Sequence, residues 1–151
     1  MREPALYFYC MKPPKKILFV CIGNTCRSQM AEALARHSAS DVIAAASAGL
    51  SPFGKIVEPT RKILLERGIR MDGQHSKGLR EVDRDSFDLI VNMTGMPGRA
   101  LFPGAKVLDW DIADPYGEDL LMYRQICDEI EELLDKLAAG LRGDGKGNVK
   151  S

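Results

Sequence analysis

An excess of charge of either sign is missing from this chain. Its 151 residues carry 21 Lys and Arg against 21 Asp and Glu. No bulk field therefore draws it to nucleic acid or to an anionic membrane, and any anion recognition has to be local. Long apolar runs are missing too, since none approaches the roughly 20 residues that span a bilayer. The opening MREPALYFYCMKPPKK lacks the apolar core and small-residue cleavage site of an export signal. Cysteine is scarce: the four residues, Cys10, Cys21, Cys26 and Cys127, form no metal-ligand spacing and are too few for a disulfide scaffold. A reducing cytoplasm is the expected compartment, and no metal, nucleic-acid or membrane partner is expected.

What is present reads as one α/β domain over residues 16–139. Residues 1–15 read as a non-catalytic extension, with Met11 a candidate alternative start. Residues 140–151, rich in Gly and Lys, form a flexible tail. Hydrophobic residues make up 45% of the chain, enough for a core at this length. Short apolar runs, ILFV (17–20), VIAAA (42–46), LIV (89–91) and AKVL (105–108), are continuous rather than alternating, as parallel strands covered on both faces are. Helical patterns lie between them. Met30, Ala33, Leu34 and His37 fall on one face of 28–38, and Pro59 and Gly68 bracket a second helix. The longest pattern, 118–139, sets Ile126, Ile130, Leu133, Leu134 and Leu137 opposite Asp128, Glu131, Glu132 and Asp135. The charged run REVDRDSFD (80–88) reads as a solvated helix or loop, and His75 as a turn residue without a partner.

The chemistry concentrates in KILFVCIGNTCRSQMAEAL, residues 16–34. A strand ends at Cys21, and a helix begins near Arg27 and Ser28. In parallel α/β sheets ligands bind at the carboxyl ends of strands, beside helix N-termini whose free N–H groups and dipole favour an anion. Gly23 permits close backbone approach and Asn24 tolerates the left-handed conformation. Arg27 supplies a planar fork of donors matched to phosphate oxygens. Helix N-termini and neighbouring cations favour thiolate over thiol in general, which suits Cys21 to be a nucleophile. The rival is an inert buried thiol with an ordinary first-turn arginine. Cys26, on the same curled loop, reads either as a packed thiol or as the partner in a reversible, protective Cys21–Cys26 disulfide. Cys127 reads as core.

Cys21-Ile22-Gly23-Asn24-Thr25-Cys26-Arg27-Ser28 resembles the phosphate loop of the low-molecular-weight protein tyrosine phosphatases. AEAL (31–34), SAG (47–49), FDLIVNM (87–93) and DPYG (114–117) follow in that family's order and approximate spacing. The resemblance covers about residues 16–139. It implies a three-layer, flavodoxin-like fold with a four-stranded parallel sheet, no metal or organic cofactor, and a phosphorylated protein as substrate. A monomer is the expected state. It further implies that Ser28 hydrogen-bonds the Cys21 thiolate, that Asn24 holds the loop shape, and that Tyr116 and Phe53 wall the pocket.

Cleaving a phosphate ester with a thiolate also requires a proton for the leaving group. Acidic candidates crowd LDWDIADPYGEDL: Asp109, Asp111, Asp114, Glu118 and Asp119. Pro115 biases Asp114 toward an extended loop conformation. By residues alone Asp114 reads as a turn capping the following helix. The resemblance instead selects it as the general acid and leaves Asp109 and Asp111 structural.

Three departures leave the substrate open. Thr25 stands where tyrosine phosphatases often have Ile, and resembles members that act on protein phosphoarginine. Gln29 replaces the usual Pro and resembles arsenate reductases, and Gln74 replaces the usual His. Yet NMTGMPGRALFPG (92–104) has no cysteine for a thioredoxin-coupled relay, so an arsenate reductase would need an external thiol. The expected activity is phosphotyrosine hydrolysis, with phosphoarginine hydrolysis and arsenate reduction as alternatives. A non-enzymatic anion-binding or redox-sensing module could use the Cys21–Cys26 pair and the phosphate cradle without turnover. The presence of both Cys21 and Asp114 argues against it, because a pure binder needs neither nucleophile nor acid.

Overall fold

Strand β1 (Lys15–Cys21) is the central element of this computed structural model, which describes residues 12–143. Cys10, Met11 and the rest of the extension before residue 12 lie outside the described residues, as does the tail beyond residue 143. Ile17, Leu18, Phe19 and Val20 are all fully buried. Successive side chains point to opposite faces, so a strand apolar throughout must be covered on both. Ile17 and Phe19 enter one core and Leu18 and Val20 another.

Beside β1 lie β2 (Ile43–Gly49) and β3 (Leu89–Asn92), with β4 (Val107–Asp109) outside β3. The sheet order is β2-β1-β3-β4, every pair parallel, with Cys21 opposite Gly49 and Val20 opposite Asn92. Both carboxyl ends that flank β1 thus converge on the residues after Cys21. The expected four-stranded parallel α/β architecture is what the chain adopts.

The two faces are covered unequally. On one lie α1 (Arg27–Ser38), α2 (Glu58–Glu66) and α4 (Leu120–Arg142), which contribute Met30, Leu34, Ile63, Leu64, Ile126, Ile130 and Leu134 to the larger core. On the other, the cover is made by short elements, including the single-turn α3 (Gly98–Leu101) and 3₁₀ turns at Leu79–Glu81 and Arg84–Ser86. Val82 and Phe87 pack there against Leu18, Val20, Ile90 and Phe102, so the 80–88 run is not simply solvated.

Boundaries differ where tertiary contacts extend an element. Strand β2 continues through Ser47-Ala48-Gly49, past the expected 42–46, because β1 pairs with it along its whole length. Helix α4 runs to Arg142 and ends with Gly143 in the left-handed region (φ 80°), so the tail expected from 140 does not begin before that cap. Arg142 anchors this last turn through a two-pronged contact with Asp41. His37 is exposed rather than part of the apolar face of α1.

Candidate functional site

Strand β1 delivers Cys21 to the sheet's carboxyl edge, and the chain curls through residues 22–26 into α1. Asn24 makes the curl, with φ 52°, the left-handed non-glycine residue among those described. Its side chain supports that shape. Asn24 Oδ1 accepts from the Lys77 backbone N–H (2.8 Å) and Gln29 Nε2 (2.9 Å), and Nδ2 donates to Ser28 Oγ (2.8 Å) and Ser47 Oγ (3.0 Å). Ser28 Oγ lies 2.9 Å from Cys21 Sγ. Asn24 and Ser28 therefore sit behind the loop as its brace.

The segment after β2 zips onto the loop. Leu50, Ser51 and Phe53 donate backbone N–H groups to the carbonyls of Cys21, Ile22 and Gly23 at 3.1, 2.8 and 2.8 Å. Phe53 is thereby fixed at the loop's rim. There is no space for a side chain at Gly49, where a Cβ would stand 2.7 Å from the Ile22 carbonyl and 2.9 Å from the Asn24 nitrogen.

Helix α1 starts with Cys26 as its cap residue, and the Cys26 carbonyl accepts the first helical bond from Met30 (2.9 Å). The N–H groups of its first turn have no intrahelical acceptor. Arg27, in that turn, is buried. Its Nη1 donates to the Met93 carbonyl (2.6 Å) after β3 and to the Ile112 carbonyl (3.1 Å) beyond β4. Its Nη2 stands 3.6 Å from Asp114 Oδ2, while Nε is buried and unpartnered. An orphaned guanidinium N–H is costly in an interior and is satisfied by an incoming acceptor.

These groups open onto one pocket of about 230 Å³. Cys21, Cys26 and Arg27 line it together with Ile22, Gly23 and Thr25 of the loop. Asp114, Tyr116 and Phe53 line it from the other segments, as does Ser51, for which the sequence offers no signal. Phe53 and Tyr116, each about half exposed, meet edge to face with centroids 5.3 Å apart. The Thr25 hydroxyl is turned away into the scaffold: it donates to the Lys55 carbonyl (2.5 Å) and accepts from the Val57 N–H (3.2 Å).

The carboxylates separate by partner. Asp114 Oδ1 accepts from the Tyr116 N–H (3.1 Å), a local turn that presents the other oxygen to Arg27. The helix cap is Asp119, whose carboxylate accepts from the Met122 N–H (3.0 Å). Asp109 accepts from Asn92 Nδ2 and the Gly98 N–H and ties β3, β4 and α3 together.

Cys21, Cys26 and Cys127 are all free thiols. Burial pushes the Cys26 thiol above its ordinary range, against the opposing effect of hydrogen bonds from Tyr123 and Thr60. Cys26 Sγ is 3.5 Å from the buried Tyr123 hydroxyl, which burial likewise pushes up. Cys127 belongs to the core, with burial raising it to about 11. Among the described residues no group of three or more His, Cys, Asp or Glu is placed to hold a metal ion, and no helix is long and apolar enough to cross a membrane.

Comparison with known proteins follows the same loop. The family model for low molecular weight phosphotyrosine protein phosphatase matches residues 16–147. The chain is 34% identical over 130 residues to a glutaredoxin arsenate reductase of Synechocystis sp., covering 83% of this chain and 97% of that protein. It is 31% identical over 150 residues to the low molecular weight protein-tyrosine-phosphatase YfkJ of Bacillus subtilis, covering 83% and 95%. The solved YwlE arginine phosphatase from Geobacillus stearothermophilus superposes with a TM-score of 0.77 at 32% identity, covering 91% and 99%. The relatives differ in activity and share the scaffold. With its parallel sheet, its cysteine-to-arginine loop and a match across nearly all the described residues, this chain belongs to the low molecular weight phosphotyrosine protein phosphatase family.

Proposed function

We propose that this protein hydrolyses phosphotyrosine on protein substrates through a cysteinyl-phosphate intermediate. The observation that carries this reading is the aromatic pair Phe53 and Tyr116 standing over a pocket whose lining includes Cys21 and Arg27. The pair offers the aryl group of a substrate an apolar, aromatic surface at the pocket mouth while its phosphate reaches the loop. The loop N–H groups and Arg27 Nε take the non-bridging oxygens.

In the first step the Cys21 thiolate attacks phosphorus and the bond to the phenolic oxygen breaks. That oxygen leaves with the electron pair and takes a proton from the Asp114 carboxyl. In the second step water attacks phosphorus, Asp114 accepts its proton, and the sulfur–phosphorus bond breaks to return Cys21 as thiolate. Ser28 hydrogen-bonds that sulfur as it departs. The proton delivered by Asp114 contributes about 10²- to 10⁴-fold.

Phosphoarginine hydrolysis is the second reading. Thr25 lines the pocket, and a solved relative acts on that class of substrate by name. Against it, the Thr25 hydroxyl is already engaged with the Lys55 carbonyl and the Val57 N–H. The deciding experiment is phosphate release from a phosphotyrosine and a phosphoarginine peptide side by side, with Cys21→Ser as blank. Faster release from phosphotyrosine is expected. Preference for phosphoarginine would install Thr25 as the specificity residue, and silence on both would bring forward arsenate reduction with an external thiol.

A further inference from the structure

Gln29 is fully buried in the first turn of α1 and is not among the residues that line the pocket. Its Nε2 donates to the Asn24 Oδ1 (2.9 Å), the Asn24 carbonyl (3.3 Å) and the His75 carbonyl (3.0 Å). Its Oε1 accepts from Gln74 Nε2 (2.7 Å), which also reaches the Gln29 carbonyl (3.3 Å). Two buried amides thus join the segment at residues 74–77 to the back of the loop that carries Cys21.

The direction of every bond in this network is dictated by backbone groups that cannot reverse. A main-chain N–H only donates and a main-chain carbonyl only accepts. The Lys77 N–H requires an oxygen opposite it, so the Asn24 amide must present Oδ1 there and Nδ2 toward the serines. The His75 carbonyl requires a donor, so Gln29 must present Nε2, which also lands on Asn24 Oδ1 and secures the same orientation. Ser28 Oγ then accepts a hydrogen bond from Asn24 Nδ2, leaving its own O–H free to donate to Cys21 Sγ 2.9 Å away. Ser47 behaves alike: it receives from Asn24 and donates to buried Glu32 (2.6 Å). Reverse the Asn24 amide and Ser28 would spend its proton on Asn24, and Cys21 would lose its donor.

We propose that Gln29, braced by Gln74, is a positioning residue that fixes the Asn24 amide so that the Ser28 hydroxyl donates its hydrogen bond to Cys21. This rests on the reading of Cys21 as the thiolate nucleophile. Gln29 acts at a distance, by orienting a donor, and it touches no substrate. Its removal leaves the loop's N–H cradle in place and weakens only the hydrogen bond that favours the sulfur anion.

The test is the pH dependence of iodoacetamide alkylation, read at Cys21 by mass spectrometry, in wild type and Gln29→Met. Methionine matches the length of glutamine and has no donor. The expected result is alkylation slowed about tenfold at the acid end of the profile, converging on wild type at the alkaline end. Inorganic phosphate should protect Cys21 from the reagent equally well in both proteins. Equal slowing at every pH, with phosphate protection lost, would mean a collapsed loop and would overturn the positioning role. An unchanged profile would overturn it too. Should Gln29→Met fail to fold, Gln74→Met removes only the outer brace: a smaller shift in the same direction is expected, and no shift refutes the proposal. If wild type releases no phosphate from phosphotyrosine, the proposed function falls, while the alkylation profile still decides the role of Gln29.

Discussion

Arg27 and Asp114 face each other across the pocket with 3.6 Å between Nη2 and the carboxylate oxygen. That is longer than a direct hydrogen bond, which spans about 2.7–3.2 Å. Arg27 does not close the gap because its Nη1 is held by the Met93 and Ile112 carbonyls. Asp114 does not close it because its other oxygen is engaged by the Tyr116 N–H. The two residues are thus fixed from opposite sides by backbone contacts, one by the ends of the sheet and one by its own turn. The pair holds a cation and a carboxylate side by side in the lining of the pocket.

If Asp114 supplies the leaving-group proton, Asp114→Asn should matter in proportion to how badly that proton is needed. Hydrolysis of phenyl phosphate, a poor leaving group, should fall by about 10²- to 10⁴-fold. Hydrolysis of an activated nitrophenyl ester should fall far less. Steady-state rates on a series of aryl phosphates check this, and equal losses across the series would remove Asp114 from the acid role.

How legible these features were in the sequence depended on how local they are. Cys21, Arg27 and Ser28 belong to one strand–turn–helix passage, so spacing and residue type sufficed to bring them together. Asp114 was one of five crowded carboxylates and was selected by resemblance. What separates it from Asp109 and Asp119 is long-range: Asp109 is spent on Asn92 and Gly98, and Asp119 on the α4 cap. Gln29 and Gln74 stood out only as unusual residues, because their contacts depend on residues 74–77 folding back onto Asn24, which no local pattern encodes. Only part of the 80–88 run was legible, for a related reason. Single 3₁₀ turns carry no helical periodicity, so the apolar contacts of Val82 and Phe87 were hidden among charges.

Gly49 offers a way to disturb the loop without altering any of its side chains. A Cβ there would overlap the Ile22 carbonyl and the Asn24 nitrogen, and both are backbone atoms that move only if the loop moves. Gly49→Ala should therefore weaken inhibition by inorganic phosphate and lower kcat/KM by at least about tenfold, a displacement worth roughly 1.4 kcal/mol or more. Inhibition constants and kinetics measured on the folded variant decide it. A variant with wild-type phosphate inhibition would show that the loop tolerates the added methyl.

Asp119 gives the contrasting case, a carboxylate close in sequence to Asp114 that is engaged in a helix cap. Its side chain accepts from the Met122 N–H at the start of α4. Asp119→Ala should cost about 1 kcal/mol of stability, the usual value for a lost N-cap, and lower the melting temperature by about 3 °C. Rates on phosphorylated substrates should stay at wild-type level. A large loss of activity with an unchanged melting temperature would transfer part of the acid's role from Asp114 to Asp119.

Cys26 leads to a prediction whose pH dependence has a definite sign. Peroxide oxidises the Cys21 thiolate to a sulfenic acid with release of hydroxide, and the Cys26 thiolate then attacks that sulfur and expels a second hydroxide. Both thiols are free and line the same pocket. Burial raises Cys26 above its ordinary range, so its thiolate is scarce near neutrality and grows as pH rises. Formation of the Cys21–Cys26 bond should therefore accelerate from neutral into alkaline conditions, seen as a mass loss after peroxide treatment. Activity recovered with dithiol should be lower in Cys26→Ser than in wild type, because an unprotected sulfenic acid goes on to irreversible forms. Identical recovery in the two proteins would rule out a protective disulfide and leave Cys26 as a packed thiol against Tyr123.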